Sequence, residues 1–169
     1  MNKLLTKYLN KDWKIDSETS TKKKFDIDNL SFFTGLKEGE LYITGEEKLK
    51  RAEGQELFGM EECFRLYEEE GQKTLRAIYD KYKVEWIEFL GTILLSPDGN
   101  RRGFYLYRRD DGSWHWNAHW LVSDRDASLP ALVLASTLPS DTLPSLDTLT
   151  LEKAIEICKK NGMTVTKIY

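Results

Sequence analysis

Residues 84–120 read VEWIEFLGTILLSPDGNRRGFYLYRRDDGSWHWNAHW, and the way this stretch punctuates itself decides the fold. Two turn signals, Pro97-Asp98-Gly99-Asn100 and Asp110-Asp111-Gly112-Ser113, divide it into three β-rich runs, the pattern of an antiparallel meander. With Asp98-Gly99 and Asp111-Gly112 as the central pairs of two-residue turns, Ser96 faces Arg101 and Arg109 faces Trp114. One face of the sheet then carries the rows Leu90/Tyr107/Trp116, Thr92/Tyr105/Ala118 and Leu94/Gly103/Trp120. That face is nearly all apolar, and helices are expected to cover it, with Arg109 stacked on Trp114 across the hairpin. The opposite face carries Phe89/Arg108/His115, Gly91/Leu106/Asn117 and Ile93/Phe104/His119, apolar at one end and polar at the other.

Downstream, Ala131 to Ser136 is a short strand candidate, and Pro139 and Pro144 punctuate a polar connection. Leu151, Ala154, Ile155 and Cys158 have helical spacing, Lys159 and Lys160 suit the negative end of the helix, and Asn161-Gly162 ends it. Met163 to Tyr169 reads as a closing strand. Strand, crossover helix and strand would form a right-handed βαβ unit if the two strands are parallel.

Upstream, Met60, Cys63, Phe64 and Tyr67, then Leu75, Ile78, Tyr79 and Tyr82, have helical spacing round Gly71, which predicts an αα-hairpin. Its first helix presents Glu61, Glu62, Glu68, Glu69 and Glu70 as a solvated face. Glu40 to Thr44 alternates like a short strand, and Thr44-x-x-Glu47 is a capping box. Phe25 to Phe33 is an apolar stretch of either type, and residues 15–24 read as a loop. Leu5, Tyr8, Leu9 and Trp13 form the stripe of a short amphipathic helix. The fold class that follows is α+β: a meander over about 84–121, extended by C-terminal strands, with helices packed on one face and residues 1–169 forming one domain.

Composition narrows the function. The 169 residues are 40% hydrophobic, 12% aromatic and 31% charged, a globular make-up. A net charge of -3 gives no global attraction to nucleic acid or anionic lipid. Residues 1–24 are locally basic, with seven Lys against three acids, which leaves a membrane-surface or nucleic-acid contact as the alternative to a docking helix. The N-terminus lacks the apolar run of a secretory signal, and no apolar stretch is long enough to span a bilayer. Cys63 and Cys158 both fall on apolar helix faces and read as buried thiols. A cytoplasmic location is therefore expected.

Chemical signatures fail one by one. His115 and His119 are spaced like the ligands of a helical zinc site, but Trp116 replaces the required Glu, and on a strand they stand ~13 Å apart. Gly54-x-x-x-x-Gly59 is followed by Met60-Glu61 where a phosphate loop needs Lys and a hydroxyl. Asp124-Arg125-Asp126 sets a cation between two acids, a poor cation site, and Glu85 and Glu88 point to opposite sides of their strand. No cofactor is indicated.

Arg101, Arg102, Arg108 and Arg109 lie in a run without acids, interleaved with Phe104, Tyr105 and Tyr107. Such a mix anchors protein partners or stacks single-stranded nucleic acid. The expectation is a small non-enzymatic binding or regulatory protein, its protein partner docking on the half-polar face. The ligand-binding candidates are Arg101, Arg102, Arg108, His115, Asn117 and His119. Single-stranded nucleic-acid binding through 101–120 is the alternative, less favoured because Asp110 and Asp111 dilute the positive field. A hydrolase with an unrecognised carboxylate site is the third reading.

Overall fold

The computed structural model describes residues 3–135. The predicted helix at 151–160, the strand at 163–169, the βαβ unit and Cys158 lie outside them. Within them the chain is α+β, in the order α1 (Lys3–Tyr8), β1 (Lys14–Glu18), β2 (Leu30–Phe33), β3 (Ile43–Thr44), α2 (Gly45–Arg51), α3 (Met60–Glu68), α4 (Lys73–Tyr82), β4 (Trp86–Leu95), β5 (Arg101–Arg108), β6 (Trp114–Trp120), β7 (Asp124–Arg125) and β8 (Ala131–Leu134). The main sheet runs β2-β8-β4-β5-β6, with β1 added to β4, and β3 pairs separately with β7. Every pairing is antiparallel except the single parallel link of β4 to β8.

The three strands of 84–120 form in the expected order, but both hairpins sit one residue from the predicted register. Leu95, not Ser96, faces Arg101, and Arg108, not Arg109, faces Trp114. The cause is the turn. Ser96 N–H donates to Asn100 O and Gly99 N–H to Ser96 O, with Gly99 at φ 78°, so three residues close the loop. Arg109, Ser113 and Gly112, the last at φ 82°, repeat the arrangement. This is a type I turn completed by a left-handed glycine, and Pro97 supplies the φ that its first corner needs. The glycine stands third in the loop, where a two-residue turn would have it second.

A second irregularity compounds the first. Between Phe89↔Phe104 and Ile93↔Gly103, β4 carries extra residues that β5 does not match. Their backbone turns to other partners: Gly91 N–H donates to Phe58 O at 2.9 Å and Gly91 O accepts from Thr19 N–H at 2.6 Å. A Cβ on Gly91 would come within 2.9 Å of the Phe58 backbone, so only glycine admits this approach.

Because side chains alternate, the slip exchanges the faces of β5 relative to β6. Phe104 and Leu106, predicted on the half-polar face, are fully buried with Ile87, Phe89 and Trp114 beneath α3 and α4. Tyr105 and Tyr107, predicted in the core, lie opposite Asn117 and His115 on the other face. The predicted rows are corrected to Ile87/Leu106/Trp116 and Phe89/Phe104/Ala118 on the covered side, and Trp86/Tyr107/His115 and Glu88/Tyr105/Asn117 on the other.

The helical hairpin is present, α3 and α4 being joined through Gly71 at φ 67°. Its apolar stripe buries Met60, Cys63, Phe64, Leu66, Leu75 and Ile78. The short α1 docks on α3 by stacking Tyr8 on Phe64, centroids 3.9 Å apart. It stops at Tyr8, before Trp13, and Lys14–Glu18 is a strand where a loop was predicted. Here tertiary pairing overrides a polar composition: the second half of β4 lies beyond the reach of β8, and β1 takes that place. The strand predicted from Glu40 shrinks to Ile43–Thr44. Thr44 does cap α2, accepting Glu47 N–H at 3.2 Å, while the Glu47 carboxylate turns to Arg51. α2 contributes Leu49, and the following Ala52, to a second, smaller core with Leu57, Leu90, Ile93, Leu121, Ala131 and Val133.

Candidate functional site

β6 is the edge strand of the main sheet among the described residues. On the side of the sheet away from α3, Trp86, Tyr105 and Tyr107 form one aromatic row. Trp86 stacks on Tyr105 at 5.6 Å and on Tyr107 at 5.3 Å, the planes within 26° and 21° of parallel. Trp86 keeps 38% of its surface exposed. His115 meets Tyr107 and His119 meets Tyr105, each at 6.0 Å, and Asn117, opposite Tyr105, is exposed. Burial and the nearby Arg125 hold the His119 imidazole below its ordinary range, so it is neutral at pH 7. Burial, with Tyr107 beside it, raises the Tyr105 phenol.

Beneath one end of this row lies a charged cluster that the sequence did not reveal. The Glu88 carboxylate accepts Lys48 Nζ at 2.8 Å on one oxygen and Arg125 Nε at 2.9 Å on the other, and all three side chains are fully buried. Lys48 also donates to Leu129 O at 2.6 Å, and Arg125 to Ser123 O and Trp120 O. Burial pulls the Lys48 ammonium below its ordinary range, against the opposing pull of Glu88. The trio joins α2, β4 and β7, beside the smaller core that includes Leu90 and Leu121. Glu88 inside the apolar run of β4 was the available signal, whereas nothing in their own neighbourhoods marked Lys48 or Arg125 as its partners.

The six predicted site residues are not brought together. His115, Asn117 and His119 share the aromatic face. Arg101 lies at the turn end of β5, paired with Asp16 at 2.8 Å and with Glu46. Arg102 projects from the opposite face, held by Asp98 at 2.9 Å and sandwiched between Trp13 and Trp120 at 5.2 and 4.7 Å. Arg108, also on that face, lies over Tyr79 at 4.2 Å rather than at the site, and it takes the cross-strand place opposite Trp114 foreseen for Arg109. Trp86, Tyr105 and Tyr107 are the residues that sequence reasoning missed, the two tyrosines because the slipped register consigned them to the core.

The free edge of β6 is guarded. The Gln72 side-chain amide donates to Trp114 O and accepts Trp114 N–H, both at 2.9 Å, imitating a neighbouring strand. Asn117 Oδ1 accepts Ala118 N–H at 2.7 Å, and Trp120 O takes Arg125 and Ser123 N–H. Strand addition at this edge would have to displace them. What the region offers is a face of side chains, not a backbone template.

Other candidates carry no chemistry. Asp124 is exposed, Arg125 is committed to Glu88, and the Asp126 carboxylate binds Ser128. No group of three or more metal-binding side chains converges among the described residues. Gly59 begins α3 against Ser20 and Thr92, where even a Cβ would clash. Cys63 is a free, buried thiol whose pKa burial pushes up. No helix among the described residues is long and apolar enough to cross a membrane. Comparison with known proteins returns no family model, no curated protein and no solved structure that matches this chain.

Proposed function

We propose that the chain is a small non-enzymatic binding or regulatory protein whose partner, a protein, docks on the face formed by Trp86, Tyr105, Tyr107, His115, Asn117 and His119. The observation that carries this reading is the stacked row of Trp86, Tyr105 and Tyr107, partly open on strands whose other face buries Phe104, Leu106 and Trp114. Trp and Tyr are the side chains that anchor protein interfaces, since each supplies a large rigid surface with a polar tip. His115, Asn117 and His119 supply the polar surround. The buried thiol of Cys63 suits the reducing cytoplasm.

The nucleic-acid reading loses support because Arg101, Arg102 and Arg108 are engaged by acids or rings, the last two across the sheet from Tyr105 and Tyr107. The hydrolase reading requires converging free acids. In the cleft that contains Asp26 and Glu62, the first binds a backbone N–H and the second binds Arg65.

Photocrosslinking in cells tests the proposal. A benzophenone amino acid at Asn117 is expected to trap a protein that the same group at Arg76, an exposed position on α4, does not. Trp86→Ser with Tyr107→Ser should abolish the product while circular dichroism stays unchanged. Identical products from the two positions, or a product indifferent to the double substitution, would sink the idea.

A further inference from the structure

We infer that the cleft between the Lys-rich loop at 22–24 and the helix pair α3/α4 is a second docking site, taking an acidic segment of a protein partner that carries an apolar side chain among its carboxylates. The cleft, about 820 Å³, brings Lys23, Lys24 and Phe25 from the loop against Arg65 of α3 and Lys73 of α4. Two acids also line it. Glu62 holds Arg65 at 2.9 Å, and Asp26 accepts Asp28 N–H at 3.0 Å. Lys23 shares Glu56 at 3.1 Å, whereas Lys24 and Lys73 have no ion pair among the described residues. Half-buried Phe25, with the Arg65 guanidinium 4.9 Å from its ring centre, gives an apolar side chain somewhere to rest.

The shape of the charge selects a short peptide over other anions. The two unpaired cations come from separate segments, Lys24 from the loop and Lys73 from α4, so carboxylates spaced along a chain meet them better than one phosphate does. The start of α4 is no phosphate cradle, because Glu69 already accepts Thr74 N–H at 2.6 Å. A long nucleic-acid strand would run onto the outer face of α3 and the turn after it, where Glu61, Glu68 and Glu70 stand exposed. Of the basic N-terminal run, Lys23 and Lys24 line the cleft.

The test is fluorescence anisotropy of the full chain with a fluorescein-labelled peptide, Glu-Asp-Leu-Glu-Glu, at low salt. Binding is expected to weaken ~10-fold or more in Lys24→Glu/Lys73→Glu and also on raising salt from about 50 to about 300 mM. Phe25→Ser should weaken it with helicity retained. The charge-matched control Lys11→Glu/Lys14→Glu, and Trp86→Ser on the sheet face, should leave it unchanged, which separates this site from the first. Absence of peptide binding, equal loss in the charge-matched control, or tighter competition by pyrophosphate or oligothymidylate than by unlabelled peptide would overturn the inference.

Discussion

The two faces of the main sheet are built from alternate residues of the same strands, yet they meet different fates. On one, Phe104, Leu106 and Trp114 are sealed under α3 and α4. On the other, Tyr105, Tyr107 and His115 remain partly open, and the far end is closed by the buried ionic trio and the smaller core beneath α2. Both faces are rich in aromatic residues, so aromatic content alone does not distinguish a core from a docking surface. The distinction lies in the polar tips. Apart from Trp114, the sealed residues Phe104 and Leu106 carry no polar tip, whereas Tyr105, Tyr107, His115 and Asn117 point outward, where water or a partner can satisfy them.

The sharpest way to break the contrast is at the trio. Glu88→Gln leaves Lys48 and Arg125 buried with no counter-charge, and chemical denaturation should record a loss of ~3–5 kcal/mol. Adjacent faces of β5 come next. Phe104→Ala should cost ~3–5 kcal/mol, as buried aromatic truncations do. Tyr107→Ala should cost only about 1 kcal/mol, its ring contacts being partly exposed already. Equal losses at 104 and 107 would mean that the second face is as buried as the first.

The smallest effect is one of pH. His119 has a folded pKa depressed below its ordinary 6.5. As pH falls below that value the unfolded chain takes up the proton first, so stability declines until the folded pKa is passed and then levels off. An NMR titration should place the His119 midpoint below 6.5, and His119→Gln should flatten that part of the profile of thermal midpoint against pH. A midpoint at or above the ordinary value would show the ring to be free of Arg125 and of burial.

Much of this fold was legible in residues 84–120. The three strands, the two turns, the helical pair and the short strand at Ala131 all follow from periodicity and turn chemistry. The register did not follow, because Asp-Gly fits both a two-residue turn and the end of a three-residue one, and backbone hydrogen bonds at Ser96 and Arg109 choose between them. That single ambiguity placed Tyr105 and Tyr107 wrongly, and with them a third of the candidate site. His115, Asn117 and His119 were grouped correctly because residues two apart on one strand share a face whatever the register. The strand β1 and the clamp of Gln72 on Trp114 were illegible for another reason: both depend on partners 42 or more positions away.

The ionic trio also binds three distant positions into one inherited unit. Glu88, 40 positions beyond Lys48 and 37 before Arg125, leaves two buried cations unpaired if changed singly, whereas loss of either cation leaves the other still paired with Glu88. A lineage can therefore exchange Glu88 only together with its partners. A chain of otherwise dissimilar sequence that keeps a helix Lys, a strand Glu and a downstream Arg at about these intervals would be expected to share this fold, and positions 48, 88 and 125 are where descent should be sought.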